Sequence, residues 1–179
     1  VEVIRGDLRQ PATLAPALSG VDTVVTTVTS IGRSMAGEKG LTIADVDATG
    51  AQHLVRAAER QGVRRFVYVS AAGMGEACAR SAPLMAAKLS VEKMLARSPM
   101  QVVLVRPDMF QEVWLAPESG IKPAEGTALI YGRGTLAHRY VAIDDVAALC
   151  THVTLAEEPP HVVEFGGPEA LSRLRVVAA

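Results

Sequence analysis

Lys88 stands where a charge is out of place. In the segment PLMAAKLSVEKML, residues 83–95, Leu84, Ala87, Val91 and Leu95 recur three and four apart. That is the apolar stripe of a helix facing a core, and Lys88 follows Leu84 by four on the same stripe. Its ammonium either snorkels to the edge of the stripe or donates hydrogen bonds to a polar group brought to the same place. Ser70, at the end of the run RFVYVS, is a second candidate, either as a plain strand-end serine or as a hydroxyl that orients a ligand. Glu92 and Lys93, further along the helix, read as solvated residues.

Other chemistries are absent from the sequence. The two cysteines, Cys78 and Cys150, form no Cys-x-x-Cys pair and no disulfide scaffold. The four histidines, His53, His138, His152 and His161, have no metal-ligand spacing and read as surface residues. No Gly-x-Ser-x-Gly elbow occurs. Gly73-x-Gly75 follows a strand, but Cys78 occupies the third glycine position of a phosphate-binding turn. Gly132-x-Gly134-x-x-Ala137 leads into a strand instead of a helix. Both read as turns.

The elements that must position these residues alternate. Val1 to Gly6 reads as a strand and Thr13 to Leu18 as a short helix, with Pro16 confined to its first turn. Asp22 to Thr29 is a β-branched strand. Ile43, Val46, Gly50, Leu54 and Ala58 repeat at helical spacing, and Gly62 ends that helix. Arg65 to Ala71 is a strand, residues 83–95 are the helix of Lys88, and Gln101 to Arg106 is a strand stopped by Pro107. Residues 108–126 look irregular. Ala128 to Tyr131 and Arg139 to Ile143 are expected short strands, Asp144 caps a helix, His161 to Phe165 is a last strand, and Ser172 caps a final helix.

Strands alternating with helices imply an α/β domain over residues 1–179, its mostly parallel sheet covered on both faces. With 49% hydrophobic residues in 179, the chain can build such a core. Its net charge of -1, spread without long runs of either sign, argues against nucleic acid and anionic membranes as partners. No apolar run reaches 18 residues. A reducing, cytoplasmic setting is expected. The chain opens without Met inside a β-rich run, which suggests a fragment.

In a parallel α/β sheet, ligands bind at the C-terminal strand ends, which are Gly6-Asp7, Thr27 to Ser30, Ser70 to Gly73, and Arg106 to Phe110. These segments, with Val46-Asp47-Ala48-Thr49-Gly50, Gly62 to Ser70, Lys88 with Glu92, and Asp144-Asp145-Val146-Ala147, resemble the atypical short-chain dehydrogenase/reductases, specifically the NmrA-like NAD(P)-binding branch. The resemblance implies a Rossmann-like doubly wound fold, N-terminally truncated, because the Gly-rich βαβ unit that cradles the pyrophosphate is missing here.

The resemblance also assigns roles. Lys88 matches the lysine that hydrogen-bonds the nicotinamide ribose, Ser70 the active-site serine or threonine. Leu84 stands where the catalytic tyrosine would be, and leucine moves no proton. Asp7 and Leu8 would border the adenine. Thr27, Val28 and Thr29 would pass the ribose and phosphate, and Pro107 and Phe110 would lie beside the nicotinamide. Trp114, the sole tryptophan, is either a pocket aromatic or an oligomer contact. The implied cofactor is NADP or NAD, with NADP favoured. The implied function is an NADPH-dependent reductase of a small organic substrate; the alternative is a non-catalytic dinucleotide sensor.

Overall fold

The computed structural model describes residues 2–179. A 3-10 turn, Pro11–Thr13, leads into α1 (Leu14–Leu18), followed by β1 (Thr23–Thr26) and α2 (Ile31–Met35). A wide π-helical segment, Ala44–Gly50, runs into α3 (Ala51–Arg60), which is followed by β2 (Arg65–Val69), α4 (Glu76–Ser81), α5 (Pro83–Leu95) and β3 (Gln101–Pro107). The next stretch holds α6 (Gln111–Trp114), β4 (Ile121–Lys122), β5 (Thr127–Ala128) and β6 (Ala137–His138). The chain closes with α7 (Ile143–Leu155), β7 (Val162–Phe165), β8 (Leu171–Ser172) and α8 (Arg173–Ala178).

The sheet order is β1-β2-β3-β7, all parallel. Period-two alternation sorts the central strands onto two faces. Phe66, Tyr68, Val102 and Leu104 face a core completed by Leu14, Val55, Val91 and Leu95 from α1, α3 and α5. Val67, Val69, Val103 and Val105 face Val146, Cys150 and Val153 of α7. Both faces of β2 and β3 are therefore covered, as their unbroken apolar sequences require. The expected doubly wound α/β architecture is observed.

Local chemistry accounts for the joints. Gly62, at φ +74°, ends α3. The Val63 amide returns to the Ala58 carbonyl and that of Gly62 to Glu59, a paired Schellman closure. The Arg65 guanidinium then donates to the Val153, Thr154 and Glu157 carbonyls, tying β2 to the C-terminal end of α7. Ser172 caps α8 by accepting from the Arg175 amide at 3.3 Å, as expected.

Several expectations need correction. Residues 2–6 form no strand and are exposed; Val1 lies outside the described residues. The Asp7 amide donates to Thr13 Oγ1 and the Gln10 amide to the Asp7 carbonyl. The chain thus turns into α1 directly after Gly6, and the outer edge of β1 takes no partner among the described residues. β1 ends at Thr26, so Thr27–Thr29 are loop. β3 includes Pro107, paired with Phe165, because a last-position proline forfeits no needed donor.

Asp144 does not cap α7. The N-cap is Ala142, and the Ile143 amide is satisfied by Glu112 Oε1 of α6 at 3.0 Å. Residues 108–126 are not irregular: they contain α6, 3-10 turns at Pro117–Ser119 and Pro123–Glu125, and β4, which pairs with β5. The strands expected at Ala128–Tyr131 and Arg139–Ile143 shrink to β5, β6 and a single bridge between Phe110 and Val141. The Gly73 and Gly132 segments are turns, as read, with φ of +68° and +61°.

Candidate functional site at the C-terminal strand ends

The register places the ends of β1, β2 and β3 side by side: Thr26 opposite Tyr68, and Val69 opposite Val105. Ser70 continues this line, its amide donating to the Val105 carbonyl at 2.7 Å. The residue is buried, yet its Oγ has no hydrogen-bond partner among the described residues. One residue back, the Val69 carbonyl accepts from Lys88 Nζ at 2.8 Å. Helix α5 thus brings Lys88 to the strand end that carries Ser70. The Lys88 ammonium also lies 5.3 Å from the centroid of the Tyr68 ring.

Burial lowers the Lys88 pKa below the ordinary lysine value, although the carboxylates of Asp47 and Glu92 pull it upward. Tyr68 is driven the other way. Its burial, reinforced by the charges of Asp47 and Glu92, pushes the phenol well above its usual range, so it stays protonated. It offers no phenolate at this strand end.

Asp47 belongs to this group and was not anticipated. It is buried in the π-helical segment, and its Oδ2 accepts from the Ser30 amide (3.0 Å) and hydroxyl (2.6 Å). Its Oδ1 has no partner among the described residues. The signal was present in the sequence: Asp47, Gly50, Leu54 and Ala58 follow helical spacing, which puts a carboxylate on the core-facing side. Two buried polar atoms without partners, Asp47 Oδ1 and Ser70 Oγ, are costly unless a polar ligand meets them. With the ammonium of Lys88, they make a donor and acceptor set suited to a polyhydroxylated group such as a ribose.

Glu92 is not solvated, contrary to expectation. It is 5% exposed and holds Arg106 in a bidentate pair, Nε to Oε1 at 3.1 Å and Nη2 to Oε2 at 2.6 Å. Lys93, which bonds Glu76, remains exposed as expected. His53 and His138 are half-buried, not surface residues. His53 Nδ1 donates to the Leu8 carbonyl at 3.0 Å, and His138 Nδ1 meets Asp108 Oδ1 at 3.2 Å. Among the described residues no cluster could hold a metal ion.

The remaining candidates fall on both sides of this centre. Asp7 forms a local turn with Arg9, whose hydrogen bonds hold its carboxyl down to about 2. Leu8 packs where Gly50 has no side chain; a Cβ there would lie 2.8 Å from the Leu8 Cβ. Thr27 and Val28 are exposed just past β1. Pro107 and Phe110 lead from β3 into a second cluster, where Asp108 accepts from the amides of Met109 (2.9 Å) and Arg139 (2.7 Å) and from His138.

Beside that cluster lies a cleft of about 290 Å³ walled by Met109, Trp114, Tyr131, His138 and Tyr140. Arg173 of α8 closes its floor, donating to the carbonyls of Leu129, Trp114 and Ser119. Sequence reasoning missed Arg173. Its clue was an arginine directly after a capping serine, at the start of the short helix RLRVVA.

A family model described as NAD(P)H-binding matches residues 1–157, which is most of the chain. The chain belongs to this NAD(P)H-binding family. The Photosystem II assembly factor Ycf39 of Trieres chinensis is 28% identical over 93% of this chain and 50% of its own length. Among solved structures, the NADPH-dependent quinone oxidoreductase of Escherichia coli, complexed with NADPH, superposes with TM-score 0.77 at 24% identity, over 99% of this chain and 57% of that one. A nucleoside-diphosphate-sugar epimerase from Staphylococcus aureus gives TM-score 0.78 at 17% identity, over 99% and 59%. The fold is thus that of Rossmann-like NAD(P)-binding proteins. The chain spans half or less of the length of the curated relatives it matches.

Proposed function

We propose that this chain supplies the nicotinamide-ribose end of a dinucleotide site and acts as an NADPH-dependent reductase toward a small organic substrate. The observation that carries the reading is the pair of buried, unpartnered oxygens, Ser70 Oγ and Asp47 Oδ1, near Lys88 at the C-terminal strand ends. Membership of the NAD(P)H-binding family supports it.

In this reading the bound dinucleotide supplies a hydride. Lys88, with one N–H given to Val69, keeps two for ribose hydroxyls. Ser70 accepts or donates beside it, and Asp47 Oδ1 accepts from a hydroxyl or from the ammonium. Pro107 and Phe110 flank the nicotinamide, Thr27, Val28 and Thr29 pass the phosphates, and Asp7 and Leu8 border the adenine. Among the described residues no glycine-rich turn links a strand to a helix long enough to cradle the pyrophosphate.

A second reading has its own observation. Leu84 occupies the position of the catalytic acid, and the Tyr68 phenol beside Lys88 is held protonated by burial. Both favour binding without turnover, as in a regulatory sensor; the curated relatives, Photosystem II assembly factors by name, accord with that. The test is a calorimetric titration with NADPH of wild-type and Lys88→Ala proteins. Loss of a charged hydrogen bond should weaken affinity by about 1.5–3 kcal/mol. Unchanged affinity removes Lys88 from the site. Turnover by the wild-type protein supports the reductase reading, and binding without turnover supports the sensor; turnover gained by Leu84→Tyr would indicate a site otherwise intact, and no gain leaves the sensor reading ahead.

A further inference from the structure

We propose that the cleft between the Met109–Trp114 segment and Tyr131–Tyr140 is a binding site for a compact planar aromatic anion. The chain is poor in aromatics, with three phenylalanines, three tyrosines and one tryptophan. The tryptophan and two of the tyrosines nevertheless line this one cleft. None of the three is buried: Trp114 is 39% exposed and Tyr131 60%. Aromatic rings gathered at a surface, outside the core that holds Phe66 and Tyr68, are not serving that core. They offer flat apolar area of the kind small-molecule sites use.

The polar groups define the rest of the ligand. Arg173 is fully engaged with three carbonyls, and its guanidinium lies 5.5 Å from the centroid of the Tyr131 ring. It is therefore a fixed part of the wall. Arg133, also in the lining, forms no hydrogen bond or ion pair among the described residues. It is a guanidinium free to fork onto a carboxylate or similar oxyanion.

His138 adds direction. Asp108 accepts a hydrogen bond from its Nδ1, which leaves Nε2 without a partner among the described residues, and its ring meets Tyr140 edge-on at 6.4 Å. A volume of about 290 Å³ sits near the lower bound of small-molecule sites, roughly 300 Å³. It admits one or two fused rings and no larger scaffold. This assignment names the substrate class for the proposed reductase, yet it does not depend on dinucleotide binding.

Trp114 makes the test direct, because all tryptophan emission comes from the cleft. The purified chain is titrated with 2-naphthoate, without dinucleotide, and followed by calorimetry and by Trp114 fluorescence; naphthalene is the uncharged control. Saturable binding that changes Trp114 emission is expected, with naphthalene much weaker. Arg133→Ala, a change at an exposed and unpaired side chain, should weaken 2-naphthoate by at least about tenfold, and Arg133→Glu should abolish binding. Absence of saturable binding overturns the proposal, as does equal binding by Arg133→Ala or by naphthalene. A parallel NADPH titration reads the dinucleotide site separately, so the two readings can fail independently.

Discussion

Lys88 and Glu92 lie one helical turn apart on α5, and their environments dictate opposite behaviour. The folded chain holds the Lys88 proton less tightly than an unfolded chain would, since burial disfavours the ammonium. The destabilisation is therefore present at neutral pH and is relieved as pH rises through the lowered value toward the ordinary 10.5. Relative to Lys88→Met, the wild-type protein should gain stability as pH rises toward 10.5, read from urea midpoints. Glu92 is the reverse case, a buried carboxylate that Arg106 needs. Glu92→Gln should cost about 3 kcal/mol or more, because it strips a buried pair of one charge. Lys93→Ala, at an exposed pair, should change stability by less than about 1 kcal/mol. The helical stripe made Lys88 legible from the sequence. The role of Glu92 was not legible, because its partner sits on β3 and adjacency across α5 and the sheet exists only once both have packed.

Elements that carry their own local signals were readable, and those held from a distance were not. Gly62 announces the end of α3 because a Schellman closure needs a residue tolerant of positive φ. Residues 108–142 carry turn signals of this kind, the positive-φ glycines Gly120, Gly126, Gly132 and Gly134, but none that fixes how the turns pack together. Their order comes from side chains that reach across the chain: Asp108 to Arg139 and His138, Glu112 to Ile143, Arg173 to three carbonyls between Trp114 and Leu129. A pattern of local hydrophobicity cannot register such bonds, which explains why this stretch looked irregular. Arg173 is the key tie. Arg173→Ala should leave the parallel sheet folded, as judged by circular dichroism, while freeing the segment around Trp114. Trp114 emission should shift to the red and acrylamide quenching should rise. Stability should fall by about 1–3 kcal/mol for each carbonyl left buried and unpaired.

At the scale of the molecule, the sheet has two kinds of strand. β2 and β3 are paired on both sides, and each buries residues on both faces. β1 is paired with β2 alone, with Val25 44% exposed on its uncovered face. The alternation of strands and helices made this parallel order legible. The free outer edge was not, since a strand was expected from residues 1–6, whereas residues 2–6 form none. The consequence is a graded clock of backbone opening. Amides of β1 can be released by losing one short ladder, whereas those of β2 and β3 need the whole sheet to come apart. Hydrogen–deuterium exchange should show Val67, Val103 and Val105 among the slowest amides, exchanging only through global unfolding, and the Thr23–Thr26 amides exchanging sooner by local fraying. Equal protection along β1 and β3 would mean that the edge opens only with the core. If the gradient holds, whatever pairs with β1 in a longer chain or a partner would be recorded as a slowing confined to residues 23–26, a signature readable without any knowledge of what the partner is.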